Sequence, residues 1–84
     1  MHSRQSLDQA PIGRVFRIAS VHQSDQMPDC ARQLGELGFL PGEEIVILRR
    51  TMPGSDPLVV RIEVSTFALR KAEAACIELA ADHA

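Results

Sequence analysis

The chain contains neither tryptophan nor tyrosine, and aromatic residues make up only 4% of its 84 residues. It also lacks a basic surplus, because its formal net charge is −2 and its positive charges cluster only locally, at Arg49-Arg50 and Arg70-Lys71. Nucleic-acid-binding proteins attract phosphates with a basic field and often stack bases on aromatic side chains. The composition therefore disfavours a nucleic-acid partner.

Long apolar runs are also missing. No segment approaches the roughly 20 apolar residues that cross a bilayer, and the opening MHSRQS lacks the apolar core of a signal peptide. We therefore expect a cytoplasmic protein. A chain of 84 residues suits one small domain, whose core alone stabilises it only marginally. We predict a flexible leader over residues 1–6, a single domain over 7–80 and a flexible tail over 81–84.

Cysteine is scarce, and its placement points away from both cross-linking and catalysis. Cys30 and Cys76 lie far apart in the sequence with no Cys-x-x-Cys spacing, which suggests neither a disulfide framework nor a structural zinc site. Neither has a histidine beside it in the sequence to activate a nucleophile, and the glycines do not form a phosphate-binding loop. We expect two reduced, buried thiols in a protein that is not an enzyme.

The strongest local signal that is present is LGELGFLPG at residues 34–42, which predicts a helix end, a turn and the start of a strand. Gly38 can adopt the left-handed conformation that ends a helix, which would let Phe39 fold back onto Leu34. Pro41-Gly42 fits the two central positions of a type II turn. The segment therefore fixes one helix against one strand, and it carries no nucleophile or base.

Hydrophobic periodicity predicts the other elements. Apolar residues from Met27 to Leu37 recur at helical spacing, and Asp25 is placed to cap the start of that helix. Ser65 or Thr66 is placed to cap a second, shorter helix that runs through Ala75. The predicted strands cover residues 14–21, 45–48, 58–64 and 76–79.

These strands are too short and too few to bury both faces of an open sheet. The alternation in the first of them is imperfect, which is typical of a curled or bulged strand. Curling into a small barrel, with helices over its openings, is the economical arrangement. The predicted fold class is mainly β with inserted helices, a small SH3-like β-barrel.

Four segments together resemble the FeoA family, the small cytoplasmic partners of the ferrous-iron transporter FeoB. They are Leu7 with PIG at 11–13, LGELGFLPG at 34–42, PGSDP at 53–57, and ALRKAEA at 68–74 leading into IEL at 77–79. The resemblance covers nearly the whole chain from Leu7 to Leu79. It implies an SH3-like barrel and a non-catalytic, regulatory role in bacterial ferrous iron uptake, through contact with the cytoplasmic GTPase region of FeoB.

The same resemblance leaves one alternative function open. A related barrel forms the C-terminal module of iron-dependent transcriptional repressors, so the chain could be an SH3-like adaptor of that kind. No winged-helix domain or metal-ligand cluster precedes the barrel in this sequence, which favours the transporter partner. We expect the chain to contact the membrane only through that partner. The sequence also allows a homodimer that forms through exposed strand edges.

Large apolar residues near the helix end and in the loop after the second strand predict the partner-binding surface. SH3-like barrels bind extended segments in apolar grooves of this kind. In our hypothesis, two residues shape the surface from beneath and four form its edge. The first two are Leu34 and Leu37, and the other four are Phe39, Leu40, Met52 and Pro53. The alternative is that Leu37 and Phe39 seal one end of the core, because a short chain needs its large residues there.

Candidate metal ligands are few. His2 and His83 lie near the termini, whereas His22 lies close to Asp25 in one predicted loop. His22 and Asp25 are thus the best candidates, but they lack the regular spacing of a metal site. We expect no required cofactor, and zinc or iron bound only adventitiously.

Overall fold

The computed structural model describes residues 5–51, 54 and 56–80. These residues form mainly β structure with two short helices, as the sequence predicted. In chain order the elements are β1 (Gln5–Ser6), a 3₁₀ turn (Leu7–Gln9), β2 (Val15–Val21), α1 (Cys30–Leu37), β3 (Glu44–Arg50), β4 (Leu58–Ile62), β5 (Ser65–Leu69), α2 (Lys71–Ala74) and β6 (Ile77–Leu79).

The six strands form one antiparallel sheet in the order β1-β6-β2-β3-β4-β5. Buried residues from every strand except β1 join a single hydrophobic cluster with Leu7 and Leu34, so the sheet curls around one core. The ladder is not closed, since within the described part of the chain β1 and β5 are its two ends. None of the helices described is long and apolar enough to span a membrane.

Strand β2 confirms the irregularity predicted from its alternation. Phe16 and Ile18 are buried, whereas Val15 is 56% exposed. The pairing of β2 with β6 shifts register between Ile18 and Ser20, which is the signature of a bulge. The bulge lets one strand pair with β3 at its start and with β6 at its end.

The predicted start of helix α1 is wrong. The helix begins at Cys30 rather than after Asp25, and Asp29 is the residue that precedes it. The backbone N–H of Met27 donates to both the carbonyl oxygen of Ser24 (3.0 Å) and its hydroxyl Oγ (3.1 Å). A serine side chain that binds nearby backbone competes with helix formation, so this segment forms a turn although its apolar residues keep helical spacing.

The predicted end of helix α1 is confirmed. Gly38 has a φ of 109° in the left-handed region. Its N–H donates to Gly35 O (3.0 Å), and the N–H of Phe39 donates to Leu34 O (2.9 Å), which together form a Schellman motif. The next turn closes with the N–H of Glu43 on Leu40 O (3.1 Å).

The second predicted helix is wrong over most of its length. Residues 65–69 form strand β5, which pairs with β4 from Leu58↔Leu69 to Ile62↔Ser65. A two-residue turn at Glu63 and Val64 joins the two strands. The helix itself covers only Lys71–Ala74. Pairing with β4 overrides the capping potential of Ser65, because each backbone group of a strand needs a partner.

The N-terminal boundary also needs a correction. Gln5 and Ser6, which we assigned to the leader, form strand β1 and pair with Leu79 and Glu78 of β6. The rest of the predicted leader, residues 1–4, and the predicted tail, residues 81–84, lie outside the described residues.

Two arginines attach distant segments to strand β3. The guanidinium of Arg50 donates to the carbonyl oxygens of Asp8 (3.0 Å) and Ala10 (2.7 Å), and thereby holds the 3₁₀ turn against the end of β3. Arg17 of β2 donates to Gly42 O (2.8 Å) and to Glu44 (3.0 Å). Arg17 therefore clamps the turn that connects α1 to β3.

Candidate partner-binding surface

Exposed leucines mark the C-terminal end of helix α1. Leu37 is 50% exposed and Leu40 is 49% exposed. Leu40 lies over the helix, with its Cδ2 atom 3.6 Å from the position that a Cβ on Gly35 would take. The structure therefore places two of the six predicted contact residues where a partner could reach them.

A third apolar residue joins them from the β4–β5 turn. Val64 is 94% exposed and lines a shallow groove of about 120 Å³ together with Leu37, Gly38, Ile62, Glu63 and Ser65. We call Leu37, Leu40 and Val64 the helix-end surface. It consists of bulky apolar side chains presented by one helix end and one tight turn.

Sequence reasoning missed Val64. The alternation of residues 58–64 placed it inside a strand, and the turn at Glu63 and Val64 contains no glycine, proline or asparagine that would indicate a turn. Glu63 instead adopts a positive φ of 54°, which an L-residue takes only at a cost. No local signal in the sequence could have found this residue.

The structure moves Phe39 from the predicted edge of the surface into the core. Phe39 is 0% exposed, and its ring packs against that of Phe67 at a centroid distance of 5.2 Å. Leu34 is also buried, whereas Leu37, which we predicted to lie beneath the surface with it, is half exposed. The alternative role of sealing the core therefore describes Phe39. Met52 and Pro53, the other two predicted edge residues, lie outside the described residues.

His22 takes part in a small polar cluster between β2 and β6. Its Nε2 atom lies 3.0 Å from Ser20 Oγ and 3.2 Å from Glu78 Oε1, and Ser20 Oγ donates to the same Glu78 oxygen at 2.8 Å. In a catalytic relay, the nucleophile and the acid contact opposite nitrogens of the histidine ring. Here both contact the same nitrogen, so the cluster links two strands and does not form a relay.

The structure does not bring His22 and Asp25 into a metal site. The recorded side-chain partners of His22 are Ser20 and Glu78. A half-open cleft beside it is lined by His22, Gln23, Ser24, Gln26, Met27, Ala72, Ala75 and Cys76, and Asp25 is not among these residues. Over residues 5–51, 54 and 56–80, no group of three or more His, Cys, Asp or Glu residues is arranged to hold a metal ion.

The two cysteines are free and buried, as predicted, but the fold brings them together. The Cys30 thiol interacts with that of Cys76, and burial together with this interaction raises the pKa of Cys30 well above its ordinary value. The thiolate is the reactive form of cysteine. Cys30 is therefore an inert core thiol.

The strand order, the bulged second strand and the short inserted helices together define an SH3-like fold. A family model described as the FeoA domain matches residues 5–81. The chain belongs to the FeoA family, which is linked to ferrous iron transport and whose members are described as accessory or transport-associated factors. No curated protein matches the chain significantly.

Solved structures agree with this assignment. FeoA from Stenotrophomonas maltophilia, a prokaryotic SH3 domain protein solved as a complex with zinc, is 32% identical with a TM-score of 0.81, over 90% of this chain and 89% of that chain. Iron(II) transport protein A from Clostridium thermocellum is 34% identical with a TM-score of 0.76, over 92% of this chain and 45% of that chain.

A third match concerns the fold alone. A manganese-dependent transcriptional repressor is 20% identical with a TM-score of 0.77, over 93% of this chain and 41% of that chain. A domain of the same fold therefore forms part of that longer repressor chain. The zinc of the S. maltophilia structure finds no matching set of ligands among the residues described in this chain.

Proposed function

We propose that this chain is a non-catalytic, cytoplasmic accessory protein of bacterial ferrous iron uptake, and that it binds the cytoplasmic GTPase region of a FeoB-type transporter through the helix-end surface. Membership of the FeoA family supports the first part. The second part is supported by the exposure of Leu37 and Val64 along one shallow groove, and of Leu40 just beyond the end of the same helix.

The helix-end surface suits a protein partner because its framework is rigid. The Schellman motif fixes the position of Leu37, and Arg17 holds the turn that follows Leu40 through its bond to Gly42 O. A surface that is already ordered loses little conformational entropy when it binds. Binding then has to immobilise only the exposed side chains and not the backbone that carries them.

The chemistry of the domain supports a binding role over catalysis. The Ser20–His22–Glu78 cluster lacks the geometry of a relay, and the Cys30 thiol is held protonated by its surroundings. We therefore assign regulation of the transporter to contact alone, without a required metal. A metal that binds this chain would do so adventitiously.

The test is a titration of the isotope-labelled chain with the isolated cytoplasmic domain of its cognate FeoB, followed by NMR with and without guanine nucleotide. We expect amide shifts to cluster on residues 37–40 and 62–65. Leu40→Gln should weaken binding about tenfold, since a half-buried leucine at an interface contributes on the order of 1–2 kcal/mol, and it should leave the melting temperature nearly unchanged.

Leu48→Gln is the matched control. Leu48 is 40% exposed on strand β3, outside the helix-end surface, so this variant should bind like the wild type. Equal losses in the two variants would contradict the proposed location of the interface. Absence of any shift at saturating FeoB domain would contradict the proposed partner.

A further inference from the structure

The two cysteines of the chain meet in the core, and neither belongs to the helix-end surface. Cys30 is the first residue of helix α1, whereas Cys76 comes directly before strand β6. Both side chains belong to the hydrophobic core, and the two thiols interact with each other. The fold therefore brings together two free sulfur atoms that are far apart in the sequence.

Backbone hydrogen bonds fix both cysteines beside the segment that joins β2 to α1. The N–H of Cys30 donates to Met27 O (3.1 Å), and the carbonyl oxygen of Cys76 accepts from the N–H of His22 (2.7 Å). The N–H of Cys76 also donates to Glu73 O (3.0 Å). An S–S bond between these thiols would therefore join two side chains that the fold already holds together.

The two sulfur atoms differ in how a reagent can reach them. Cys76 lines the half-open cleft of about 350 Å³ beside His22, whereas Cys30 is not among the residues that line it. Cys76 is 5% exposed and Cys30 only 2%. A small oxidant such as hydrogen peroxide therefore has a path to Cys76, and the cleft gives no such path to Cys30.

The contact between the thiols also determines the order in which they react. Burial and the interaction with Cys76 raise the pKa of Cys30, so Cys30 keeps its proton and its S–H is the donor of the pair. The thiolate is the form of cysteine that attacks an oxidant, and a proton donated towards the sulfur of Cys76 favours negative charge there. Cys76 is therefore the sulfur that reacts first, with Cys30 placed to react second.

We infer that Cys76 is a site of reversible oxidation by peroxides, and that Cys30 converts the product into an intramolecular disulfide. In the first step the Cys76 thiolate attacks hydrogen peroxide. The O–O bond breaks, an S–O bond forms, and the sulfur is oxidised to a sulfenic acid while hydroxide leaves and takes up the proton that the thiol had released.

In the second step the sulfur of Cys30 attacks the sulfenic acid. An S–S bond forms, the S–O bond breaks, and the hydroxyl group leaves with the proton of Cys30 as water. Two thiols and one peroxide thus yield one disulfide and two molecules of water. The peroxide accepts the two electrons that the sulfur atoms lose.

The disulfide would act as a reversible link within the domain. It would tie the first residue of α1, the helix that presents Leu37, to the segment before β6. In a reducing cell such bonds form transiently and report oxidation, and small thiols reverse them by exchange. The inference rests on the thiol pair and the cleft, and it does not depend on the proposed function.

The first test is treatment of the reduced, folded full-length chain with hydrogen peroxide, followed by thiol counting and intact mass spectrometry. We expect both thiols to disappear together, the mass of the single chain to fall by about 2 Da, and dithiothreitol to restore both thiols. A folded chain that keeps both thiols would overturn the inference. So would a chain that forms disulfides only with a second chain.

Single variants test the order of the two steps. Cys30→Ala removes the second thiol, so Cys76 should stop at the sulfenic acid, gain about 16 Da and react with dimedone. Cys76→Ala leaves Cys30 without access to the cleft, and its thiol should be lost about tenfold more slowly. Circular dichroism shows whether each variant is folded.

The comparison of the two variants also distinguishes this chemistry from oxidation after unfolding. Global unfolding would expose both thiols alike, so equal rates of thiol loss in the two folded variants would overturn the inference. A folded Cys30→Ala variant that forms no dimedone adduct would overturn the assignment of Cys76 as the sulfur that reacts first.

Discussion

The two ends of helix α1 are built in opposite ways. Its C-terminal end is specified by individual residues, with Gly38 at a φ of 109° and Phe39 buried behind it. Its N-terminal end has no side-chain cap on Asp29 and begins at Cys30, which is buried against Cys76. One end is therefore fixed by local backbone geometry and the other by tertiary packing, and only the first could be predicted correctly from the sequence.

The largest effect should come from Phe39→Ala at the C-terminal end. Phe39 is fully buried and its ring packs at a tilted angle against Phe67, so its truncation should lower the free energy of unfolding by about 3–5 kcal/mol. Urea denaturation measures this change. Leu40→Ala, one residue later but half exposed, should cost less than about 1 kcal/mol. Similar losses for the two would mean that Leu40 belongs to the core.

At the N-terminal end, alkaline pH should destabilise the fold. Burial beside Cys76 raises the pKa of Cys30 from an ordinary 9.0 to about 12, so between these values the folded chain holds a proton that the unfolded chain releases. The contribution of Cys30 to the free energy of unfolding should be fully present below pH 8.5 or so, and then fall by up to about 1.4 kcal/mol per pH unit as the pH rises.

Urea denaturation between pH 8 and about 10.5 measures how the free energy of unfolding changes with pH. This range covers the titration of an ordinary thiol in the unfolded chain. Few other groups interfere, because the chain has no tyrosine and Lys71 is its only lysine. Cys30→Ala is the control and should flatten the decline. An unchanged slope in that variant would show that another group causes it.

Two glycines of the same helix should respond to alanine with opposite signs. Gly38→Ala should cost about 1–2 kcal/mol, because the position has room for a Cβ but requires a positive φ. Gly35→Ala should stabilise by up to about 1 kcal/mol, because Gly35 is helical and its nearest neighbour, Leu40, lies at an ordinary 3.6 Å. Thermal unfolding of both variants checks the prediction, and the same sign for both would contradict it.

The smallest changes in the free energy of unfolding should come from two aspartates, one at the observed start of helix α1 and one at its predicted start. Asp29→Ala should cost about 0.3–1 kcal/mol, because Asp29 lies at the positive end of the helix and 3.8 Å from Arg32. Asp25→Ala should change the free energy of unfolding by less than about 0.5 kcal/mol, because Asp25 is an exposed turn residue. A larger cost for Asp25→Ala would restore it as the helix cap.

The same contrast explains how far the sequence predicted the fold. The helix end at Gly38, the turn at Pro41-Gly42 and the bulge in β2 follow from backbone sterics and alternation, which are properties of neighbouring residues. The turn at Glu63 and Val64 does not, because its residues do not favour a turn and the pairing of β4 with β5 imposes it. Glu63 accepts a φ of 54° since the two strands on either side are already fixed.

The residues of the candidate site also fall into two groups: those that local sequence predicts and those whose position depends on tertiary structure. Leu37 and Leu40 were predictable because they flank a recognisable helix end. Phe39 could not be assigned to core or surface from the sequence, since its orientation depends on the ring of Phe67 across the fold. Val64 was missed because its exposure depends on a turn without a sequence signal, and the meeting of Cys30 with Cys76 depends on the whole topology.

The pairing of β1 with β6 has a consequence for how this domain is used. Because Gln5 lies opposite Leu79, the chain enters and leaves the folded unit at neighbouring points on one edge of the sheet. A unit with adjacent entry and exit points can be spliced into, or appended to, another polypeptide without stretching a linker across its surface. A repressor domain of the same fold, in a match that covers 41% of the repressor chain, illustrates how such a fold forms one part of a larger protein.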